Sequence, residues 1–299
     1  MVMAIIVSVT TLGCKRRETA PPKPPEAELW LGGDVNLGDG GTGQLKAIAQ
    51  IVQGAAGVVN LEGPVARNSP SRKFRLWNAP ASLVELAAVN VRVAGIANNH
   101  AGDFGPNGPQ QTASVLRERG ILPAGGNAGP AVLNMSGITI AITAHDLTDG
   151  VPEGLASELL GARQQADILI ATFHVTGPVS YLPRPELKHA ADMAIAAGAK
   201  LVVAHGTHAI GPLERRGDTV IAWGLGNVAF ACDCTSEEDA ILLRVYVQKD
   251  KIAGVDVLPL RAGRNKRPAE PSTDANGVFD LLEAVGTSKL TRHGSFASL

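Results

Sequence analysis

Charge is scarce in this chain of 299 residues: Asp, Glu, Lys and Arg make up 18%, against roughly 25% in a typical soluble domain. The two signs almost cancel, leaving a formal net charge of −1, so no general field favours nucleic acid or an anionic surface as partner. Cysteine is scarcer, three residues in all. Cys14 stands alone, and Cys232 and Cys234 form a C-x-C whose ring is too small for a good structural staple. With no C-x-x-C nearby, a thiolate zinc site is disfavoured. The apolar run of residues 1–13 is too short to span a bilayer as a helix. Neither G-x-G-x-x-G at the first strand–helix turn nor a P-loop G-x-x-x-x-G-K-[ST] is present, which argues against a Rossmann-type nucleotide binder. There is no internal repeat and no mid-chain linker, so one domain is expected.

Hydrophobic residues are present in ordinary amount, 45%, together with 34 glycines for tight turns. That is enough for one large folded body. The run MVMAIIVSVTTLG suits the apolar core of a secretory signal, and Thr11–Cys14 reads T-L-G-C. This looks like a bacterial lipoprotein signal, with Cys14 as the lipidated residue. No Lys or Arg precedes the run, and Thr11 stands where such signals usually carry Leu. The following KRRETAPPKPPE is charged and proline-rich, an extended spacer rather than a folded element. The expected organisation is a leader over 1–14, a tether over 15–26, a folded domain over 27–260 and a C-terminal extension over 261–299. Such a protein would be exported and tethered to the membrane of the cell envelope, or released beyond it.

From Ala27 onward, short apolar runs alternate with helical patterns, which argues for a layered α/β domain. The runs predict strands over Glu28–Gly32, Gly57–Asn60, Val91–Ile96, Thr139–Thr143, Ile168–Phe173, Leu201–His205 and Val220–Trp223. Helices are predicted over Gly43–Gly54, Ala81–Val89, Gly108–Arg119 and Glu186–Ala197. A hairpin is predicted from Ala240–Val247 and Ile252–Leu258, and a short helix over Phe279–Val285.

Polar residues with coordinating chemistry cluster where these strands end, the place at which open α/β sheets bind ligands. Asp34 follows the first strand in LGGDVNLGDG, and Asn60 and Glu62 follow the second in VVNLEGPV. Taken singly, each could merely cap a turn. IANNHAGDFG packs Asn98, Asn99, His100 and Asp103 into six residues. An Asn carbonyl can ligate a metal, and an adjacent imidazole can donate a proton. His174 ends the next run in ATFHVTG, and His205 and His208 flank Gly206 in VVAHGTHAIG. Histidines at successive strand ends, joined by NNH, point to metal.

These segments, in this order, resemble the CapA poly-γ-glutamate capsule-synthesis family, which is related to the calcineurin-like metallophosphatases. The most specific pieces are NNHAGDFGPNG, AHGTHAIGPLE and WGLGNVAF. The resemblance implies a metallophosphatase-like sandwich of mixed sheets flanked by helices. It implies two divalent ions (Mn, Fe or Zn), one held by Asp34, Glu62 and His208. The second would be held by Glu62, Asn99, His174 and His205, with Glu62 bridging. His100 would protonate a leaving oxygen, and Asp103 would fix the tautomer of a nearby imidazole. Asn36 stands where the phosphatases carry His, and HVTGPVSY replaces the family's His-Trp-Gly and its acidic residue. Two functions fit: a metal-dependent phosphoesterase or hydrolase acting on capsule polymer, or a non-catalytic accessory protein of a capsule-synthesis complex.

Overall fold

A computed structural model of the chain describes residues 25–40, 43–67, 75–232, 237–265 and 267–299. Cys14 and the leader lie outside the described residues, as does Cys234, whereas Cys232 is disulfide-bonded. Among the described residues no helix is long and apolar enough to cross a membrane.

The chain builds two mixed sheets in turn. The first begins with β1 (Ala27–Asn36), β2 (Ala56–Leu61), β3 (Val91–Gly95) and β4 (Leu122–Ala124), adjacent and parallel. The second sheet follows with β5 (Ala131–Met135), β6 (Ile138–Asp146), β7 (Ile168–His174), β8 (Leu201–His205), β9 (Leu213–Arg216) and β10 (Thr219–Ala222), ordered β5-β6-β7-β8-β10-β9. Its four inner strands are parallel and its two edges antiparallel. The chain then returns to the first sheet. There β11 (Asn227–Phe230) pairs parallel with the end of β1, and the hairpin β12 (Asp239–Gln248) and β13 (Lys251–Arg261) pairs antiparallel with its start.

Strand periodicity explains why the sheets stack. Alternate side chains face opposite sides of a strand, and both sides here are apolar. Leu29, Leu31, Val58 and Val93 meet Ile140, Ile142, Ile168, Ile170, Leu201 and Val203 in a core between the sheets. The intervening residues face helices. Trp30, Val59 and Leu61 pack under the segments with α1 (Ala49–Val52), α2 (Val84–Ala88) and α3 (Gly108–Glu118). Ala141, Leu169 and Val202 pack under α4 (Leu155–Gln164) and α5 (Pro185–Ala196). Each fully buried Leu or Ile contributes about 1.5–3 kcal/mol. The result is the layered α/β sandwich expected from sequence, with helices outside two facing sheets.

Several elements differ from the sequence-based expectation. The helix predicted over Gly43–Gly54 is a 3-10 turn, Lys46–Ile48, followed by the four residues of α1, which stops at the left-handed Gln53. Helix α4 was not expected; Leu155, Leu159 and Ala162 are its buried residues, and Gly161 and a polar face dilute its pattern. Strands β1 and β6 outrun their apolar cores, so Asp34 lies inside β1 rather than after it, and β6 carries on to Asp146. From residue 261 the chain belongs to the same body. Ala297–Ser298 pairs with β13, and α6 (Ala275–Val285) places Val278, Phe279 and Leu282 in the core between the sheets.

Candidate metal centre

Parallel strands of both sheets end at one place. On the first sheet, Asp34 lies opposite Asn60 on β2 and Asn227 on β11. On the second, Asp146, His174 and His205 lie side by side across β6, β7 and β8. The β1–β2 register shifts between Leu31 and Asp34, and the β1–β11 register shifts between Asp34 and Val35. Such bulges re-aim side chains, and Gly32 and Gly33 allow this one. A Cβ on Gly33 would stand 1.8 Å from the Gly226 carbonyl oxygen, which accepts a hydrogen bond from Asp34 N at 3.1 Å.

Asp34 joins the two sheets. Its Oδ1 accepts from Asn60 Nδ2 at 2.8 Å and its Oδ2 from Gly206 N at 2.9 Å. His205 Nδ1 is 3.6 Å from Oδ1, and His208 Nδ1 is 3.6 Å from Oδ2. Glu62 sits on the other side of the cluster, its Oε1 3.9 Å from Nε2 of both His174 and His100. Asp34, Glu62 and His174 offer ligand atoms all within 4.8 Å of one another, and all three are buried.

Burial makes this cluster costly without a cation. Desolvation, followed by the charges of Asp34, Asp103 and Asp146, pushes the Glu62 carboxyl well above the usual carboxylate range. Burial also works against ionisation of Asp34, but His205, His208, His174 and the Asn60 hydrogen bond outweigh it and hold Asp34 low. Glu62 is therefore the carboxyl that keeps a proton. Desolvation drives the His205 imidazole down to about 4, against the pull of Asp34. Buried polar atoms are normally paired, yet Glu62 Oε2, Asn99 Oδ1, both nitrogens of His174 and His205 Nδ1 are buried and make no hydrogen bond. Carboxylate, amide and imidazole donors of this kind fit a borderline divalent ion such as Mn, Fe or Zn. An ion would complete these atoms and reverse the protonation of Glu62.

Surrounding residues hold the donors in place. His100 Nδ1 lies 2.8 Å from Asp103 Oδ2, which also accepts from Leu76 N at 2.6 Å. Asp103 thus fixes the His100 ring, with Nε2 turned toward Glu62. His208 Nδ1 is 2.9 Å from Asn227 Oδ1, and His208 adopts a left-handed φ of 55°. A strained backbone at an imidazole is a common mark of a functional site. Gly206, at φ 79°, lies so close to His174 that a Cβ would be 2.6 Å from Nε2.

The structure brings Asp34, Glu62, His100, His174, His205 and His208 together, with Asp103 behind them. Asn99 adjoins through an unpartnered Oδ1, its Nδ2 donating to Thr176 Oγ1 at 3.3 Å. Thr176 belongs to the altered HVTGPVSY stretch, which therefore touches the site through its own hydroxyl. Asn36 acts instead on the backbone, its Nδ2 donating to the carbonyls of Glu62 and Trp77 at 2.9 and 3.0 Å. It clips the loop that presents Glu62. Asn98 likewise ties the strand ends together, donating to Leu61 O at 3.0 Å and accepting from Gly63 N at 3.2 Å.

Sequence reasoning missed Asp146. Its Oδ1 lies 3.8 Å from His174 Nδ1, an ion-pair separation, and accepts from Thr148 N and Oγ1 at 3.0 and 2.6 Å. Burial opposes its charge, but His174 and Thr148 hold it below its ordinary range. The signal was an acid at the end of an apolar strand, hidden because that strand was expected to stop at Thr143.

Comparison with known proteins finds relatives among capsule-synthesis proteins. The chain is 27% identical over 264 residues to "PGA biosynthesis protein CapA" of Bacillus subtilis (strain 168), covering 80% of this chain and 68% of the relative. It is 23% identical over 218 residues to "Capsule biosynthesis protein CapA" of Bacillus anthracis, covering 64% of this chain and 53% of that one. The chain thus spans only about half the length of the second relative. A crystal structure of a hypothetical protein from Thermus thermophilus shares the fold, with a TM-score of 0.56, 12% identity, and coverage of 79% of this chain and 99% of that one. The family described as "Bacterial capsule synthesis protein PGA_cap" matches residues 39–232, a stretch that contains every donor of the cluster except Asp34. By that match the chain belongs to the PGA_cap family of bacterial capsule synthesis proteins.

Proposed function

We propose that this protein is a metal-dependent phosphoesterase-type hydrolase of the cell envelope, acting in the synthesis or handling of a poly-γ-glutamate-type capsule polymer. The observation that carries the proposal is the set of buried, unpartnered donors on Glu62, Asn99, His174 and His205 gathered beside Asp34. Asp34, Glu62 and His208 would hold one divalent ion, and Glu62, Asn99, His174 and His205 a second. Bound ions would supply Lewis acidity toward a phosphoryl oxygen and toward attacking water.

The chain's own residues do the rest. His100 keeps Nδ1 on Asp103 and presents Nε2 on the Glu62 side, where its imidazolium can deliver a proton to the departing oxygen. Asp146 faces His174 Nδ1, favouring the tautomer that leaves Nε2 a lone pair toward Glu62. Asn227 does the same for His208, freeing that residue's Nε2.

The test is elemental analysis of the purified protein before and after chelation, with turnover of aryl phosphate mono- and diesters. Bound Mn, Fe or Zn, with turnover lost on chelation and cut about 100-fold or more by His100→Ala, is the expected outcome. A metal-bearing protein inert toward both esters would favour the accessory role in a capsule-synthesis complex. Envelope tethering through Cys14 is part of the proposal and rests on T-L-G-C. Cys14→Ser should release the protein from the membrane fraction, and its retention there would remove that part.

A further inference from the structure

The chain that leads away from Glu62 is basic. Between Glu62 and Glu85 it carries Arg67, Arg72, Lys73 and Arg75 and no acidic residue. Arg72 and Lys73 lie outside the described residues. Arg75 lies within them, and two hydrogen bonds fix its place beside the metal centre. Leu76 N donates to Asp103 Oδ2 at 2.6 Å, and Arg75 Nη1 donates to the Asp103 carbonyl oxygen. The same Oδ2 lies 2.8 Å from His100 Nδ1, and His100 Nε2 lies 3.9 Å from Glu62 Oε1. Asp103 is thus the one residue between Arg75 and the imidazole that faces the cluster. The guanidinium stands on the His100 side of the centre, not on the side where His205 and His208 meet Asp34.

Arg75 is exposed, and among the described residues its guanidinium meets a backbone carbonyl and no carboxylate. A guanidinium carries five N–H donors in a flat fork, and a single neutral carbonyl leaves most of them to solvent. A carboxylate or phosphate takes two N–H groups at once, in bonds roughly twice as strong. Because the head of the side chain is exposed, the fork can turn from the carbonyl to an incoming anion without disturbing the core. Asp103 does not repel such an anion when His100 is the imidazolium that an acid requires, since the two charges then cancel.

We propose that Arg75 is a specificity-determining residue, holding a second anionic group, carboxylate or phosphate, carried by the part of the substrate that departs past His100. The proposal rests on the phosphoesterase reading, in which His100 protonates the departing oxygen. It adds the substrate class: phosphate esters whose leaving group is itself charged.

Phosphonates test this, because they cannot lose the aryl group and so report recognition apart from turnover. Calorimetry on the full-length, metal-loaded protein compares 4-carboxyphenylphosphonate and 1,4-phenylenediphosphonate with 4-carbamoylphenylphosphonate, whose para group is uncharged. Arg75→Ala should weaken at least one of the two anionic probes about tenfold or more, and the carbamoyl probe less than about twofold. The probe that loses more identifies the anion. Arg75→Lys, which keeps the charge without the fork, should fall between wild type and Arg75→Ala. Arg119→Ala removes an exposed charge at the C-terminal end of α3 and should change none of the three affinities. In turnover of 4-carboxyphenyl phosphate, Arg75→Ala should raise KM and leave kcat nearly unchanged, as expected for lost uniform binding. Equal weakening of all three probes, no weakening of any, or a lower kcat on the carbamoyl ester as well would overturn the proposal and leave the phosphoesterase reading standing. A protein that binds none of the phosphonates would sink both. Selective loss in Arg75→Ala from a protein that hydrolyses no ester would keep Arg75 as the anion-holding residue and remove hydrolysis alone.

Discussion

Glu62 shows how one side chain can help or harm depending on what surrounds it. In the chelated protein its carboxyl is buried beside Asp34 and holds its proton well above the ordinary 4.5. In the unfolded chain it ionises near that ordinary value. Above it, therefore, the folded state binds the extra proton, and the stability Glu62 contributes is lost as pH rises. Glu62→Gln has no proton to lose. The chelated variant should be more stable than chelated wild type at pH 7, by on the order of 1–3 kcal/mol, with the gap shrinking toward pH 4.5. With metal present the order should invert, because a neutral amide is a poor bridging ligand. Urea unfolding across pH, with and without chelator, measures both. An unchanged ranking when metal is added would mean that Glu62 binds no ion.

Among the elements, the site depends on where strands stop and bend. The bulge at Gly32 and Gly33 lets β1 pair with β12 at its start and with β11 at its end, swinging Asp34 toward the second sheet. Gly33→Ala should cost about 3 kcal/mol or more, since a Cβ would sit 1.8 Å from a carbonyl oxygen held by Asp34 N. Gly161→Ala is the matched control. It lies on α4 with open space around it, and should be neutral or stabilising by about 0.5–1 kcal/mol. Chemical denaturation of the two variants separates close backbone approach from a general dislike of replacing glycine. Equal stabilities would remove the bulge from the account.

The fold as a unit needs something to close its core. Helix α6 contributes Val278, Phe279 and Leu282 to the layer between the sheets, and Ala297 pairs with Val257 on β13. Burying three such side chains is worth about 4–9 kcal/mol as an upper figure, comparable with the whole stability of a typical domain. Deleting residues 275–299 should therefore abolish cooperative unfolding and expose the inner face of β13. A sharp thermal transition in the truncated protein, followed by near-ultraviolet circular dichroism, would show instead that the sheets close without this segment.

Local patterns were enough to read the layered α/β class, the principal strands and the polar side chains that follow them, because strand alternation and strand-end polarity are properties of neighbouring residues. Asp34, Glu62, His174, His205 and His208 each stand out within a short stretch of chain. That Asp34 reaches His205 from the other sheet emerges only once the two sheets are packed. Periodicity says which face of a strand is apolar, not which sheet it will meet. For the same reason Asp146 stayed hidden until β6 was seen to extend beside His174, and Asn36 became a clip for the Glu62 loop only once its two carbonyl partners were placed. The helix expected over Gly43–Gly54 was over-read because Leu45 and Ile48 are already buried at a 3-10 turn that α1 extends by only four residues. The C-terminal residues looked like a polar extension because their few apolar side chains gain meaning only against the surface of β13.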